Sequence, residues 1–112
     1  MNIESESIDL LKKMVAAKSV NPSGKDIDDE GYKTNVVAKV LGDYLKDSGF
    51  EVEYQEVEGR DLNVVGKLDV GADNTILLEG HLDTVDAGDM ADAFKPRMSG
   101  GIMYGRGACD AK

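Results

Sequence analysis

The chain has 112 residues, with 22 Asp and Glu against 13 Lys and Arg, giving a formal net charge of −9. Apolar residues make up 41% and charged residues 31%, which fits one small globular domain and excludes a disordered tail. No apolar run nears the ~18 residues that a membrane-spanning helix needs, and an acidic chain without a basic stretch or basic aromatic face is a poor partner for nucleic acid.

From Glu4 to about Lys18, Ile8, Leu11 and Val15 recur at helical spacing with Leu10 and Met14 beside them. Glu4, Glu6 and Asp9 come early and Lys12, Lys13 and Lys18 late, as the helix dipole favours. Ser19-Val20-Asn21-Pro22-Ser23-Gly24 is dense in turn formers and ends this helix. Its Asn-Pro-Ser triplet is no glycosylation acceptor, because proline holds the middle position. A second helix is predicted from about Gly31 to Ser48 on the apolar stripe Val37, Val40, Leu41, Tyr44 and Leu45, with Gly49 placed to cap it.

Phe50, Val52 and Tyr54 alternate with Glu51, Glu53 and Gln55, the period of a strand with one wet face near a sheet edge. Glu58-Gly59-Arg60-Asp61 turns the chain into a second strand, Leu62 to Leu68, and residues 69–74 turn it again. The unbroken apolar run in Thr75 to His81 predicts a strand buried on both faces in mid-sheet. Phe94 to Met98 and Ile102 to Tyr104 read as two short strands joined by Ser99-Gly100-Gly101. The order predicts an α/β domain with a mixed β-sheet, and the glycine-rich end, Tyr104 to Lys112, reads as the inside of a loop in a longer chain.

The lone cysteine, Cys109, has no internal disulfide partner and is expected as a small buried packing residue. The first residues lack the basic segment and apolar core of a secretory signal, so the expected compartment is the cytoplasm.

Two motifs can carry chemistry. Gly80-His81-Leu82-Asp83-Thr84 follows the apolar run, where ligands collect at strand ends in α/β sheets. In extended chain His81 and Asp83 share a side, so the carboxylate can orient the imidazole as acids do behind metal-bound histidines. Alone, the pair fits a strand-end histidine followed by a turn better than a site, because a two-residue His-x-Asp match is common by chance. Gly105-Arg106-Gly107-Ala108-Cys109-Asp110 begins like a dinucleotide fingerprint but puts Asp110 where the last glycine belongs. A carboxylate there repels phosphate and suits a cation; alone, it equally fits a surface turn with Asp110 paired to Arg106 or Lys112. Asp83, Asp86, Asp89 and Asp92 lack the spacing of an EF-hand and read as a solvated acidic loop.

Taken together, Leu77 to Val85, Tyr104 to Lys112 and the 29-residue separation of His81 from Asp110 resemble the zinc-dependent amidohydrolases and metallopeptidases. This is the family of acetylornithine deacetylase, succinyl-diaminopimelate desuccinylase and carboxypeptidase G. The resemblance implies an incomplete three-layer αβα zinc-peptidase-like domain, with residues 1–112 as the amino-terminal part of the catalytic domain. The rest of that domain and a lid or dimerisation domain would lie beyond it. It also implies two divalent metal ions, zinc with cobalt or manganese as alternatives, and a homodimeric parent. His81 is then a metal ligand, Asp110 a ligand bridging both ions, and Asp83 the catalytic-site acid that holds the His81 ring. A cis peptide is expected after Asp110.

The implied reaction is hydrolysis of an amide bond in an N-acyl amino acid or small peptide. A Glu-Glu pair, the first as general base and the second as ligand, then another acidic ligand and a late histidine would lie past Lys112, so the chain alone is expected to bind zinc weakly, to lack turnover and to expose an unpaired sheet edge. Two other readings are a truncated non-enzymatic binding module acting through the second helix, and a carboxylate-rich calcium-binding domain.

Overall fold

The computed structural model describes residues 2–112. Helix α1 spans Ile3–Ala16 and begins at Asn2, whose side chain accepts from the backbone N–H groups of Glu4 and Ser5. Such a cap satisfies donors that a helix start leaves orphaned. A single 3-10 turn, Glu30–Tyr32, precedes helix α2, Asn35–Asp47. The predicted second helix therefore starts four residues late. Lys33 is extended (φ −125, ψ 160) and interrupts the helical path, and Thr34 bonds the Leu62 backbone instead of capping α2.

Strands β1 (Glu51–Val57) and β2 (Asp61–Lys67) form an antiparallel hairpin in the register Val57↔Asp61 to Glu51↔Lys67. The predicted strand bounds differ by one or two residues, as hydrogen bonding at strand ends commonly dictates. Val52 and Tyr54 are half-buried beneath α2, and Glu51, Glu53 and Gln55 face out. Strands β3 (Arg97–Ser99) and β4 (Ile102–Tyr104) form a second antiparallel hairpin across Gly100 and Gly101.

The core is Met14 and Ala17 from the end of α1 against Val37 of α2, with Leu10, Val40, Leu41 and Leu82 packed around them. Arg60 ties the hairpin to the loop before α2, through Asp61 and the carbonyls of Ile27 and Tyr32. Among the described residues no helix is long and apolar enough to cross a membrane.

Two expectations are corrected. The run Thr75 to His81 forms no strand among the described residues, and Ile76, Leu77 and Leu78 are 85%, 80% and 90% exposed. A strand buried on both faces needs a partner on each edge and cover above and below; α2 covers β1 and β2, and neither hairpin reaches this segment. For the same reason the sheet is not mixed. Both hairpins are antiparallel, and the parallel element is one isolated bridge, Val20↔Thr84.

Gly42 sits in the middle of α2, where a Cβ would collide with the Tyr54 hydroxyl and stand 2.7 Å from its ring carbon. Gly42→Ala is expected to destabilise the fold by about 1–3 kcal/mol through overpacking, despite the ~1 kcal/mol that alanine gains in helix propensity. Tyr54→Phe, which removes the nearest contact, should recover part of the loss. Urea unfolding of the two single variants and the double variant measures both effects.

Candidate metal centre

The site is built where the chain leaving α1 meets the chain leaving the exposed apolar run. Thr84 donates its N–H to Ser19 O at 2.9 Å, and Asn21 donates to Thr84 O at 2.8 Å. The buried Ser19 hydroxyl donates to Leu82 O at 2.6 Å. These bonds hold residues 81–84 extended beside residues 19–21.

On that support His81 and Asp83 are brought together as their spacing predicts. His81 Nδ1 lies 2.9 Å from the Asp83 carbonyl oxygen and 3.2 Å from Asp83 Oδ1. The other ring nitrogen, Nε2, lies 3.0 Å from Asp110 Oδ1. The imidazole, 52% exposed, is therefore held between two carboxylates from segments 29 residues apart, with Asp110 88% exposed.

Asp110 comes from the loop after β4. Gly107 turns that loop with φ +90, and a Cβ on it would press on Thr84 Cγ2 at 2.9 Å and Lys112 Cγ at 3.1 Å. Gly107 and Lys112 thus face inward, which turns residues 109–111 outward. Lys112 Nζ donates to the carbonyls of Met14 at 2.9 Å and Ala17 at 2.6 Å, at the negative end of α1. Burial lowers its pKa to about 8.

The local ion pairs open to Asp110 do not form: Lys112 caps α1, and Arg106 donates to Ala87 O at 3.2 Å. Two further expectations are corrected here. Cys109 is exposed, not a packing residue, because the inward turn of Gly107 and Lys112 aims it at solvent. The peptide after Asp110 is trans, the form that a non-proline bond favours by about 3 kcal/mol.

The electrostatics follow from the contacts. Both ring nitrogens face acceptors only, and a neutral imidazole has one N–H to offer. Hydrogen bonding to Asp110, then to the Asp83 carbonyl, accordingly raises the His81 pKa above its ordinary value, with smaller attractions from both carboxylates and some opposition from desolvation.

The donor chemistry fits a divalent cation. One imidazole nitrogen and one carboxylate oxygen stand 3.0 Å apart, and two donors bonded at ~2.1 Å to one tetrahedral ion stand roughly 3.4 Å apart. A small parting of ring and carboxylate admits the ion. Asp83 lies behind the ring, and among the described residues no group of three or more His, Cys, Asp or Glu side chains is arranged to hold a metal. The pair thus offers two ligands, where a closed zinc site uses about four. A concavity lined by Asn21, Ser23, His81, Asp83, Arg106 and Asp110 opens beside them.

Sequence reasoning missed Ser19, Asn21 and Lys112 as supports. The Asn-Pro dipeptide carried a turn signal that pointed to Asn21; for the Lys112 contact no local signal exists, because its acceptors lie 95 and 98 residues away.

Residues 77–112 match peptidase family M20/M25/M40. The chain is 34% identical over 111 residues to a succinyl-diaminopimelate desuccinylase of Wolbachia pipientis, covering 96% of this chain and 25% of the relative. It is 32% identical over 120 residues to an uncharacterized metallohydrolase of Methanococcus maripaludis, covering 97% and 29%. A desuccinylase of Nautilia profundicola is 37% identical over 108 residues, covering 94% and 26%. These matches agree with the resemblance read from the two motifs, and those to the relatives run over nearly the whole chain. The chain spans about a quarter of the length of the curated relatives it matches.

Two outcomes are expected in solution. The imidazole of His81, the only histidine of the chain, should titrate above the ordinary value in metal-free protein, and Asp110→Asn should lower its midpoint, as followed by NMR. The linked stability is present below the unfolded-state pKa and is lost as pH rises through the folded-state value. Cys109 should react stoichiometrically with a chromogenic disulfide reagent without denaturant, whereas a buried thiol would stay silent until unfolding.

Proposed function

We propose that this chain contributes the first ligands and the orienting acid of a metal-dependent amide hydrolase. The observation that carries the reading is the convergence of His81 Nε2 and Asp110 Oδ1 at 3.0 Å, with Asp83 against the opposite ring nitrogen. In this reading His81 would be a terminal ligand of one ion, and Asp110, its carboxylate largely exposed beside the concavity, would bridge a pair.

Zinc is the proposed metal, its borderline character suiting a site of imidazole and carboxylate, with cobalt or manganese as substitutes. When bound, such a pair of ions polarises a carbonyl and makes water nucleophilic near neutral pH. The chain's own residues do the positioning. Asp83 keeps the imidazole proton on Nδ1, which leaves the Nε2 lone pair for the metal and makes the ring a stronger donor. Asp110 offsets cationic charge where carboxylate oxygen is the preferred partner.

The substrate class is an N-acyl amino acid or small peptide, and the relatives named desuccinylases favour an N-succinyl group. The described elements then belong to a three-layer αβα catalytic domain whose general base, remaining ligands and lid lie outside residues 1–112, in a parent that assembles as a homodimer. The single exposed cysteine suits a reducing compartment such as the cytoplasm. A calcium-binding domain is disfavoured, since hard cations take six to eight oxygens and an imidazole stands at the centre of this site.

Zinc titration of the chain should perturb the His81 ring signals with weak affinity, and His81→Ala or Asp110→Ala should abolish specific binding. In the protein that carries the remaining ligands, either change should lower N-acyl amino acid hydrolysis by roughly a thousandfold or more. The 112-residue chain alone should show no turnover. Wild-type zinc affinity in His81→Ala would overturn the reading.

A further inference from the structure

Asn21 stands behind the site, in the loop that follows α1. Its side-chain amide is fixed at both ends. Oδ1 accepts from the Ser23 N–H at 2.8 Å, which closes an Asx turn, and Nδ2 donates to Asp83 Oδ2 at 2.8 Å. Because the oxygen is committed to a donor, the amide cannot flip, and its NH2 group must face Asp83. Its backbone is held as well, by the bond from Asn21 N–H to Thr84 O at 2.8 Å.

The second carboxylate oxygen of Asp83, Oδ1, lies 3.2 Å from His81 Nδ1, beside the Asp83 carbonyl oxygen at 2.9 Å from the same nitrogen. A continuous line of contacts thus runs from the Ser23 amide through Asn21, Asp83 and His81 to Asp110. Asp83 is partly exposed, so without Asn21 its carboxylate would be free to rotate toward water.

We propose that Asn21 is a positioning residue for Asp83, holding that carboxylate on Nδ1 and so keeping the His81 Nε2 lone pair directed at the metal. This deepens the metal-site reading above and rests on it. Asn21 acts through Asp83 and touches neither the ion nor the substrate. The Asn-Pro-Ser-Gly turn is then part of the site, and its constraint is chemical as well as conformational: only a side chain that accepts from Ser23 and donates to Asp83 at once can satisfy both contacts.

Two variants test this. Asn21→Ala removes both hydrogen bonds. Asn21→Ser keeps an oxygen to accept from the Ser23 N–H and is too short to reach Asp83, so it isolates the second contact if the alanine variant disturbs the loop. In each, the tautomer of the neutral His81 ring is read from its nitrogen chemical shifts without metal, and zinc affinity is read by titration. Both variants are expected to lower the share of the Nδ1–H tautomer and to weaken zinc binding about tenfold, the scale on which partners of metal-bound histidines act.

A merely structural role would weaken binding without moving the tautomer. Either readout left at its wild-type value in the serine variant overturns the proposal. His81→Ala serves as the control: zinc lost there and retained in both Asn21 variants would sink the role of Asn21 alone, whereas zinc retained in His81→Ala would sink the metal site itself. The tautomer measurement needs no metal and judges the Asn21 contact in either case.

Discussion

The parallel bridge between residues 19–21 and 82–84 is the contact on which the rest of the arrangement depends. It consists of two backbone bonds, reinforced by the buried Ser19 hydroxyl on Leu82 O. Each such bond is worth about 1 kcal/mol net, and their effect is concentrated on one short segment. Immediately upstream, residues 75–80 are exposed throughout, so this contact is what turns a free chain into one with a defined histidine. The same end of α1 receives the other half of the site, since Lys112 caps the carbonyls of Met14 and Ala17. One helix terminus thereby sets the distance between two motifs that the chain separates by 29 residues.

The charge pattern of the site is a consequence of that geometry. In an acidic chain, two carboxylates press on one imidazole from opposite sides. A proton satisfies this arrangement and so does a divalent cation, and the two compete for the same nitrogen lone pair. The raised basicity of His81 and the suitability of the pair for a metal are therefore one property seen with two cations. What separates the two nitrogens is their second partner: Nδ1 faces a carboxylate braced by Asn21, whereas Nε2 faces one that is open to solvent.

Much of the local structure was legible in the chain. α1 and α2 announce themselves by apolar spacing, and the two hairpins by alternation and by their glycine-bearing turns, because these signals arise within a few residues. The pairing of His81 with Asp83 was legible too, as a matter of period two. The misreadings share a cause. An apolar run such as Ile76-Leu77-Leu78 reports that burial would be favourable, not that a neighbour is present to provide it. Cys109 was expected inside on the average habit of free cysteines, and one turn at Gly107 reversed its direction.

The amino-acid order by itself determined where helices and hairpins form, that residues 80–84 and 105–110 are the chemically loaded segments, and which family the chain resembles. Those properties depend on residue type and short spacing. Only the tertiary structure decided that His81 faces Asp110, that Lys112 leaves Asp110 for the end of α1, and that Asn21 braces Asp83. These are contacts between residues tens of positions apart, and no local periodicity encodes which of several acceptors a folded chain brings within 3 Å of a donor.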